Sequence, residues 1–199
     1  HRHDYDGWRD LGNPGWGYDD VLPYFKRSEN NHRLGGQYHG QSGPLDVTDI
    51  DEPAPIMEQL IRGAAEELGT PLTQDFNTPD REGVGPYQLN IRNGQRCSTA
   101  MAYLEPAMGR PNLTVVEHAL VDKLVIEDGV AVGVRYSVHG EEHADYVQNE
   151  IVLCGGAIGS PQILLRSGIG PAGELEQADI KPIHTLPGVG KNLQDHLFA

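Results

Sequence analysis

Apolar side chains recur at helical spacing in the first half of the chain. The clearest stretch covers residues 54–68, and its apolar positions are Ile56, Leu60, Ile61, Ala64, Ala65 and Leu68. Spacings of three and four residues predict an amphipathic core helix here, with Gly69 as a left-handed C-cap. A shorter helix is predicted over residues 19–29, because aspartates lie near its start and its apolar residues share one face.

The second half of the chain is rich in short β-branched runs. The predicted strands cover residues 113–117, 121–127, 130–138 and 143–147. The dipeptides Asp128-Gly129 and His139-Gly140 supply turn chemistry between successive runs. These features predict a β-meander, and a further short buried strand is predicted over residues 151–154.

The pattern is weaker between these two regions. Residues 32–53 are predicted to be irregular, and residues 70–96 are predicted to form a long surface loop because they contain many Pro, Gly and Asn residues. Ser98 is placed to cap a helix that extends to about Glu105, which Pro106 would help to end. Helices combined with a meander predict the α/β class in its mixed α+β form.

Glycines connect the predicted strand at 151–154 to another helix. Gly155 and Gly156 allow a tight turn, Ser160 and Pro161 fit the N-cap and first helical positions, and Gly168 fits a C-cap. A helix N-terminus presents free backbone N–H groups, which suit a phosphate or another electron-rich group. Glycine turns that bind nothing are also common, so spacing alone favours a ligand-free connection.

Composition excludes several classes of function. The formal net charge is −14, from 15 basic and 29 acidic residues. This balance argues against binding to nucleic acids or anionic membranes, which require clustered Lys and Arg. The two cysteines, Cys97 and Cys154, form no C-x-x-C motif, which indicates neither a disulfide framework nor a zinc ribbon and fits a reducing cytoplasm. No apolar run is long enough to span a bilayer, and no histidine motif predicts a metal site.

Five blocks, taken together and in order, resemble the glucose-methanol-choline (GMC) oxidoreductases. They include Gly-Ala-Ile-Gly-Ser-Pro at 156–161 and Gly-Lys-Asn-Leu-Gln-Asp-His at 190–196. The first block joins residues 4–8 with 15–25, and the others cover residues 39–45, 96–104, 155–170 and 186–196. The resemblance extends over nearly the whole chain and is greatest to the choline dehydrogenase-like branch. It implies an FAD-dependent enzyme that oxidises the CH–OH group of a small alcohol by transferring hydride to the flavin.

The resemblance also implies a place for this chain within such an enzyme. Residues 1–199 would form part of a Rossmann-like FAD/NAD(P)-binding domain, and residues 186–199 would cross toward the substrate-binding domain. The family's G-x-G-x-x-G opening is not found, and its catalytic pair is expected after Ala199. We therefore expect an internal fragment without catalytic residues. The residues expected beside FAD are Val121, Gly155, Gly156, Ala157 and Ser160.

Two other hypotheses stay open at this point. In a nicotinamide-binding fold, the glycine turn would hold the dinucleotide and Asp179, about twenty residues later, would bind the ribose. In a non-catalytic binding module, the chain would act only as a scaffold.

Other polar motifs have structural interpretations that we favour. His39 lies in a glycine-rich turn, which is typical of a hydrogen-bonding loop residue rather than a base. Arg92 and Arg96 could bind an anion, but neutralising nearby acids is the favoured role. Asp195 and His196 are adjacent, and neighbouring residues in a strand point to opposite faces. They therefore favour an anchoring role over a catalytic dyad.

Overall fold

The computed structural model describes residues 1–195 and divides the chain into two compact units, His1–Leu113 and Thr114–Ala199. Each unit contains helices and short strands, which confirms the mixed α/β class predicted from the sequence. The helices of the first unit are α1 (Arg2–Asp10), α2 (Tyr18–Ser28), α3 (Pro55–Leu68) and α4 (Glu105–Ala107), with a π-helical turn over Ala100–Leu104. Its strands are β1 (Glu29–Asn31), β2 (Leu45–Val47), β3 (Ile91–Arg92) and β4 (Gln95–Arg96).

Helices α1 and α2 pack against each other through charged and aromatic contacts. The Arg2 guanidinium donates two hydrogen bonds of 2.7 Å to the Asp19 carboxylate. The rings of Tyr5 and Phe25 meet edge to face at 5.6 Å between centroids. Helix α2 starts one residue before its predicted span and ends one residue short of it, whereas the sequence patterns did not predict α1.

Helix α3 has the predicted span but not the predicted burial. It ends at Leu68, and Gly69 follows in the left-handed conformation with φ of 62°. No residue of α3 is fully buried, and Leu60 is 66% exposed. The prediction of a core helix was therefore wrong for the unit described here, because periodicity determines which residues share a face and not what covers it.

Short strands form where the sequence predicts irregular chain. Strands β1 and β2 pair in parallel, and β3 and β4 form an antiparallel hairpin across Asn93-Gly94. Two or three residues are too few for an alternating pattern, so sequence periodicity missed them. The helix predicted from Ser98 is a π-helical turn followed by α4, and Pro106 lies within α4 rather than ending it.

The second unit is built on the predicted meander. Its strands are β5 (Ala119–Glu127), β6 (Val130–Val138) and β7 (Glu141–Tyr146), antiparallel and in the order β5-β6-β7. At the first turn Asp128 and Gly129 both have positive φ, 49° and 80°, as a two-residue hairpin of this hand requires. The strand predicted over residues 113–117 does not form, and β5 begins at Ala119.

Helix α5 (Gly156–Arg166) lies beside β5 and leads into a small parallel pair. The remaining elements are β8 (Ile169–Gly170), α6 (Ala172–Gln177) and β9 (His184–Thr185). The strand predicted over residues 151–154 is not formed, since no strand among residues 1–195 pairs with it. A run of apolar residues becomes a strand only when a neighbour supplies the ladder of hydrogen bonds.

Candidate functional site

The glycine turn lies at the start of α5 and is open to solvent. Gly156 has φ of 76°, in the left-handed region that favours glycine, and a Cβ built there would meet nothing within 4 Å. Gly155 and Ala157 on either side are exposed. The first turn of an α-helix has no internal partners for its N–H groups, so this surface can donate hydrogen bonds to an electron-rich group.

Ser160 does not cap the helix in the predicted way. Helix α5 begins at Gly156, four residues earlier, because the left-handed Gly156 turns the backbone into the helix before Ser160 is reached. The Ser160 hydroxyl instead accepts a 2.9 Å hydrogen bond from the N–H of Gly155. Pro161 therefore lies inside the helix, where it has no N–H to offer the carbonyl of Ala157. Ser160 therefore stabilises the glycine turn through its side chain.

Val121 lies on the free edge of the meander. It belongs to β5, an edge strand among the described residues, and the residue is 37% exposed. The strand register shifts between Val121 and Lys123, so Asp122 is an extra residue opposite β6. The N–H of Leu124 points away from β6, since it bonds the Ser167 hydroxyl at 2.8 Å. Alternation along the strand, corrected for the extra residue, places the Val121 N–H and C=O on the same outer edge.

The two groups of predicted site residues lie at different places along α5. An open concavity of about 740 Å³ is lined by Val121 together with Gln162 and Arg166 from the C-terminal half of the helix. The residues of the glycine turn do not line it. The structure therefore connects Gly155, Gly156, Ala157 and Ser160 with Val121 through one helix rather than in one pocket.

His39 is buried and held by two carboxylates in the first unit. Its Nδ1 lies 2.9 Å from Glu29 Oε1, its Nε2 lies 3.0 Å from Asp75 Oδ2, and the residue is 5% exposed. Burial by itself lowers the pKa of the imidazole, but the hydrogen bonds to Glu29 and Asp75 outweigh it and raise the pKa. With both ring nitrogens bonded to carboxylates, His39 has no free nitrogen to act as a base. The prediction of a hydrogen-bonding loop residue is confirmed.

Arg92 has a structural partner as well. Its Nε bonds the buried Asp46 carboxylate at 2.5 Å and its Nη2 bonds the Pro44 carbonyl at 2.6 Å. The Arg92 bond, with those from His32 and Asn30, lowers the pKa of Asp46 to about 2. The favoured interpretation of Arg92, neutralisation of a nearby acid, is confirmed. Of the other candidate pair, Asp195 is described and His196 lies outside the described residues.

Comparison with known proteins decides the family. The profile described as GMC oxidoreductase matches residues 1–198. This chain belongs to the GMC oxidoreductase family. Among curated proteins, this GMC chain is 42% identical over 197 residues to mouse (Mus musculus) mitochondrial choline dehydrogenase, covering 99% of the chain and 33% of that protein. It is 46% identical over 199 residues to the oxygen-dependent choline dehydrogenase of Pseudomonas fluorescens (strain Pf0-1), covering 98% of the chain and 35% of that protein.

Solved structures give the same result for the fold. Pyridoxine 4-oxidase from Mesorbium loti superposes with a TM-score of 0.86 at 34% identity, covering 94% of this GMC chain and 37% of that one. An FAD-dependent oxidoreductase from Chaetomium thermophilum superposes with a TM-score of 0.87 at 31% identity, covering 94% and 35%. The chain thus spans about a third of the length of the curated relatives described above.

The family assignment and the geometry both weigh against the nicotinamide hypothesis. The acid expected to bind a ribose should follow the strand after the turn's helix, as in a Rossmann unit. Asp179 instead follows α6, in a left-handed conformation with φ of 57°. Within residues 1–195, no group of three or more His, Cys, Asp or Glu side chains is placed to hold a metal ion. No helix in the same part of this GMC chain is long and apolar enough to cross a membrane.

Sequence reasoning missed the residues that connect this site. Asp122 and Arg166 form an ion pair across 44 positions, and Ser167 contacts the backbone of β5. In the sequence, the one local sign of this contact is Asp122 itself, because an aspartate is unusual inside a run of β-branched residues. Its partner could not be found without the fold.

Proposed function

We propose that this chain contributes the cofactor-binding region of an FAD-dependent enzyme that oxidises the CH–OH group of an alcohol, with choline or a close analogue as substrate. The observation that carries the proposal is the identity of 42% and 46% to two choline dehydrogenases over almost every residue of the chain. Two of the solved structures with the same fold are pyridoxine 4-oxidase and an FAD-dependent oxidoreductase, which supports the same chemistry.

The residues at the start of α5 fit part of such a cofactor. Gly156 leaves open space on its Cβ side, and its neighbour Ala157 is small, so a ligand can approach the backbone. The apolar residues Val152 and Ile158 beside this turn are 73% and 74% exposed. Exposed apolar groups next to free N–H donors suit a ligand that has both rings and phosphates. FAD, when bound, supplies the acceptor for hydride from the alcohol carbon.

Each predicted site residue has a task in this proposal. The amides of Gly156 and Ala157 would donate hydrogen bonds to the cofactor, and Ser160 would keep the turn closed through the Gly155 N–H. Val121 would hold the adenine through its backbone, because an outward N–H and C=O complement the acceptor and donor on the adenine edge. These tasks are binding and orientation, and they use backbone groups that have no strand partners within residues 1–195.

Three further proposals concern the context of this site. Residues 1–199 belong to the FAD-binding domain, and residues 186–199 lead toward a substrate domain. The protein works in the cytoplasm, which is supported by the free thiols of Cys97 and Cys154. Fractionation of cells that express the full gene, followed by detection of the protein, tests the location.

The central test uses the full-length protein. Purification should yield a yellow protein with one flavin per chain, and anaerobic addition of choline should bleach the flavin absorption. Tetramethylammonium keeps the charged head group but lacks the CH–OH group, so it should leave the spectrum unchanged. A protein that binds no flavin would refute the proposal. Bleaching by another alcohol but not by choline would retain the activity and reject the substrate.

A further inference from the structure

Arg166 and Ser167, at the C-terminal end of α5, both form hydrogen bonds with β5, the edge strand of the meander. Arg166 Nε donates to the Asp122 carbonyl at 3.2 Å and to Asp122 Oδ1 at 2.9 Å, and Nη2 also contacts Oδ1. Ser167 is buried; its hydroxyl accepts from the Leu124 N–H at 2.8 Å and donates to the Ile163 carbonyl at 2.6 Å. The strand is thus held at two points, two residues apart.

These hydrogen bonds occur at the bulge in β5. The register shifts between Val121 and Lys123, and Arg166 holds both the carbonyl and the carboxylate of the extra residue, Asp122. A bulge changes the direction in which neighbouring peptide groups point. An edge strand has no second neighbour to keep such a distortion in place, so contacts from outside the sheet must do so.

We propose that Asp122, Arg166 and Ser167 are positioning residues for the candidate cofactor site: the contacts between β5 and the end of α5 fix the direction of the Val121 peptide. The inference rests on the proposed function, because it takes the Val121 peptide as the group that meets the adenine. Helix α5 carries the glycine turn at its other end, since Gly156 lies ten residues and about 15 Å from Arg166. One rigid element therefore sets both the turn and the strand edge.

Arg166 also lines the concavity beside Val121, where it could bind a phosphate directly. The contacts distinguish the two roles. At least two guanidinium nitrogens are engaged by Asp122, whose carboxylate would compete with any anionic ligand. Under direct binding, neutralising Asp122 would free Arg166 and strengthen the binding of an anion. Under positioning, neutralising Asp122 would weaken binding as much as removing Arg166 does.

The experiment measures ligand binding to the full-length protein after its flavin has been removed. The probes are FAD and ADP, because ADP carries adenine without flavin and reports on the Val121 side alone. Arg166→Met and Asp122→Asn should each raise the Kd of both probes by about tenfold, the effect of one ordinary hydrogen bond. The double variant should be no weaker than either single variant, and Arg166→Lys should restore part of the affinity.

Arg135→Met is the matched control. Arg135 lines the same concavity from β6 and is exposed. Its backbone pairs with Lys123 beside the bulge, but its guanidinium bonds neither Asp122 nor Arg166, so its loss removes the same charge from the same surface without breaking that ion pair. The Kd of the Arg135→Met variant for ADP should stay within about twofold of the wild-type value. Ser167→Ala removes one hydroxyl and its two hydrogen bonds, with the Leu124 N–H and the Ile163 carbonyl, and serves if Arg166→Met does not fold. It should speed amide exchange over residues 120–124 and raise the Kd for ADP.

The inference is overturned if Arg166→Met binds ADP as tightly as the wild type does, if Asp122→Asn binds it more tightly, or if the two effects add in the double variant. These outcomes require a wild-type protein that binds FAD. A wild-type protein that binds neither FAD nor ADP would instead overturn the proposed function.

Discussion

Asp46 offers the sharpest test of the forces inside the first unit. The residue is 6% exposed, and its carboxylate accepts hydrogen bonds from Arg92 at 2.5 Å, Asn30 at 2.6 Å and His32 at 3.0 Å. Asp46→Asn keeps the shape of the side chain and removes its charge. The substitution removes the carboxylate charge beside the Arg92 guanidinium and leaves the hydrogen bond from Arg92 to the Pro44 carbonyl in place.

The magnitude follows from the pKa of Asp46, which falls from 3.8 to about 2 in the folded protein. Since one pKa unit corresponds to 1.36 kcal/mol, this difference contributes roughly 2.5 kcal/mol to the free energy of unfolding at neutral pH. A group with a lowered folded pKa gives stability that is present above its unfolded pKa. The contribution is therefore complete above pH 3.8 and is lost as the pH falls toward 2.

Urea unfolding followed by tryptophan fluorescence measures this effect, because Trp8 and Trp16 lie in the same unit as Asp46. At pH 7 the midpoint of Asp46→Asn should fall by about 1 M, given a typical dependence of about 2 kcal/mol per molar urea. The difference from the wild type should shrink as the pH falls below 4. Asp51→Asn, at an exposed carboxylate, should leave the midpoint unchanged. An equal loss at pH 7 and pH 2.5 would refute the electrostatic explanation.

Three other predictions concern single side chains. His39→Gln should destabilise the protein by about 1–3 kcal/mol below pH 6.5. The loss should be smaller as the pH rises through the raised pKa of His39, because a raised folded pKa stabilises the protein only while the proton is bound. Urea midpoints of the variant and the wild type at pH 6 and pH 9 check this. Gly40→Ala should cost about 3 kcal/mol or more, since the new Cβ would lie 1.8 Å from the Lys26 carbonyl; a thermal midpoint equal to that of the wild type would contradict the packing. Gly156→Ala should destabilise the protein by about 1–2 kcal/mol, because position 156 has a positive φ. Gly159→Ala should stabilise the protein by up to about 1 kcal/mol, because position 159 lies in a helix with an ordinary φ and has space for a Cβ. Calorimetry of the two variants compares them directly.

Local structure in this chain was predictable wherever a few neighbouring residues determine it. The span of α3, the turn at Asp128-Gly129 and the three strands of the meander were predicted from the sequence, the strands with boundary errors of a few residues. Each depends on spacing or turn chemistry within about ten residues. The glycine turn was also located correctly, although α5 starts at Gly156 rather than after Ser160.

Pairing between distant segments was not predictable. The strands predicted over residues 113–117 and 151–154 do not form, because a strand requires a neighbour that local sequence does not specify. The carboxylates around His39 come from Glu29 and Asp75, ten and 36 positions away. Their contacts exist only after the chain has brought three segments together.

The candidate site shows the same division. The sequence by itself determined the family, the glycine turn and Val121 as a candidate, because motifs keep their order and spacing along the chain. Only the tertiary structure decided that these residues lie along one helix, with Asp122 and Arg166 joined across 44 positions. The physical reason is that backbone conformation follows from neighbouring residues, whereas an ion pair depends on the distance between two side chains, which the packing of α5 against β5 sets.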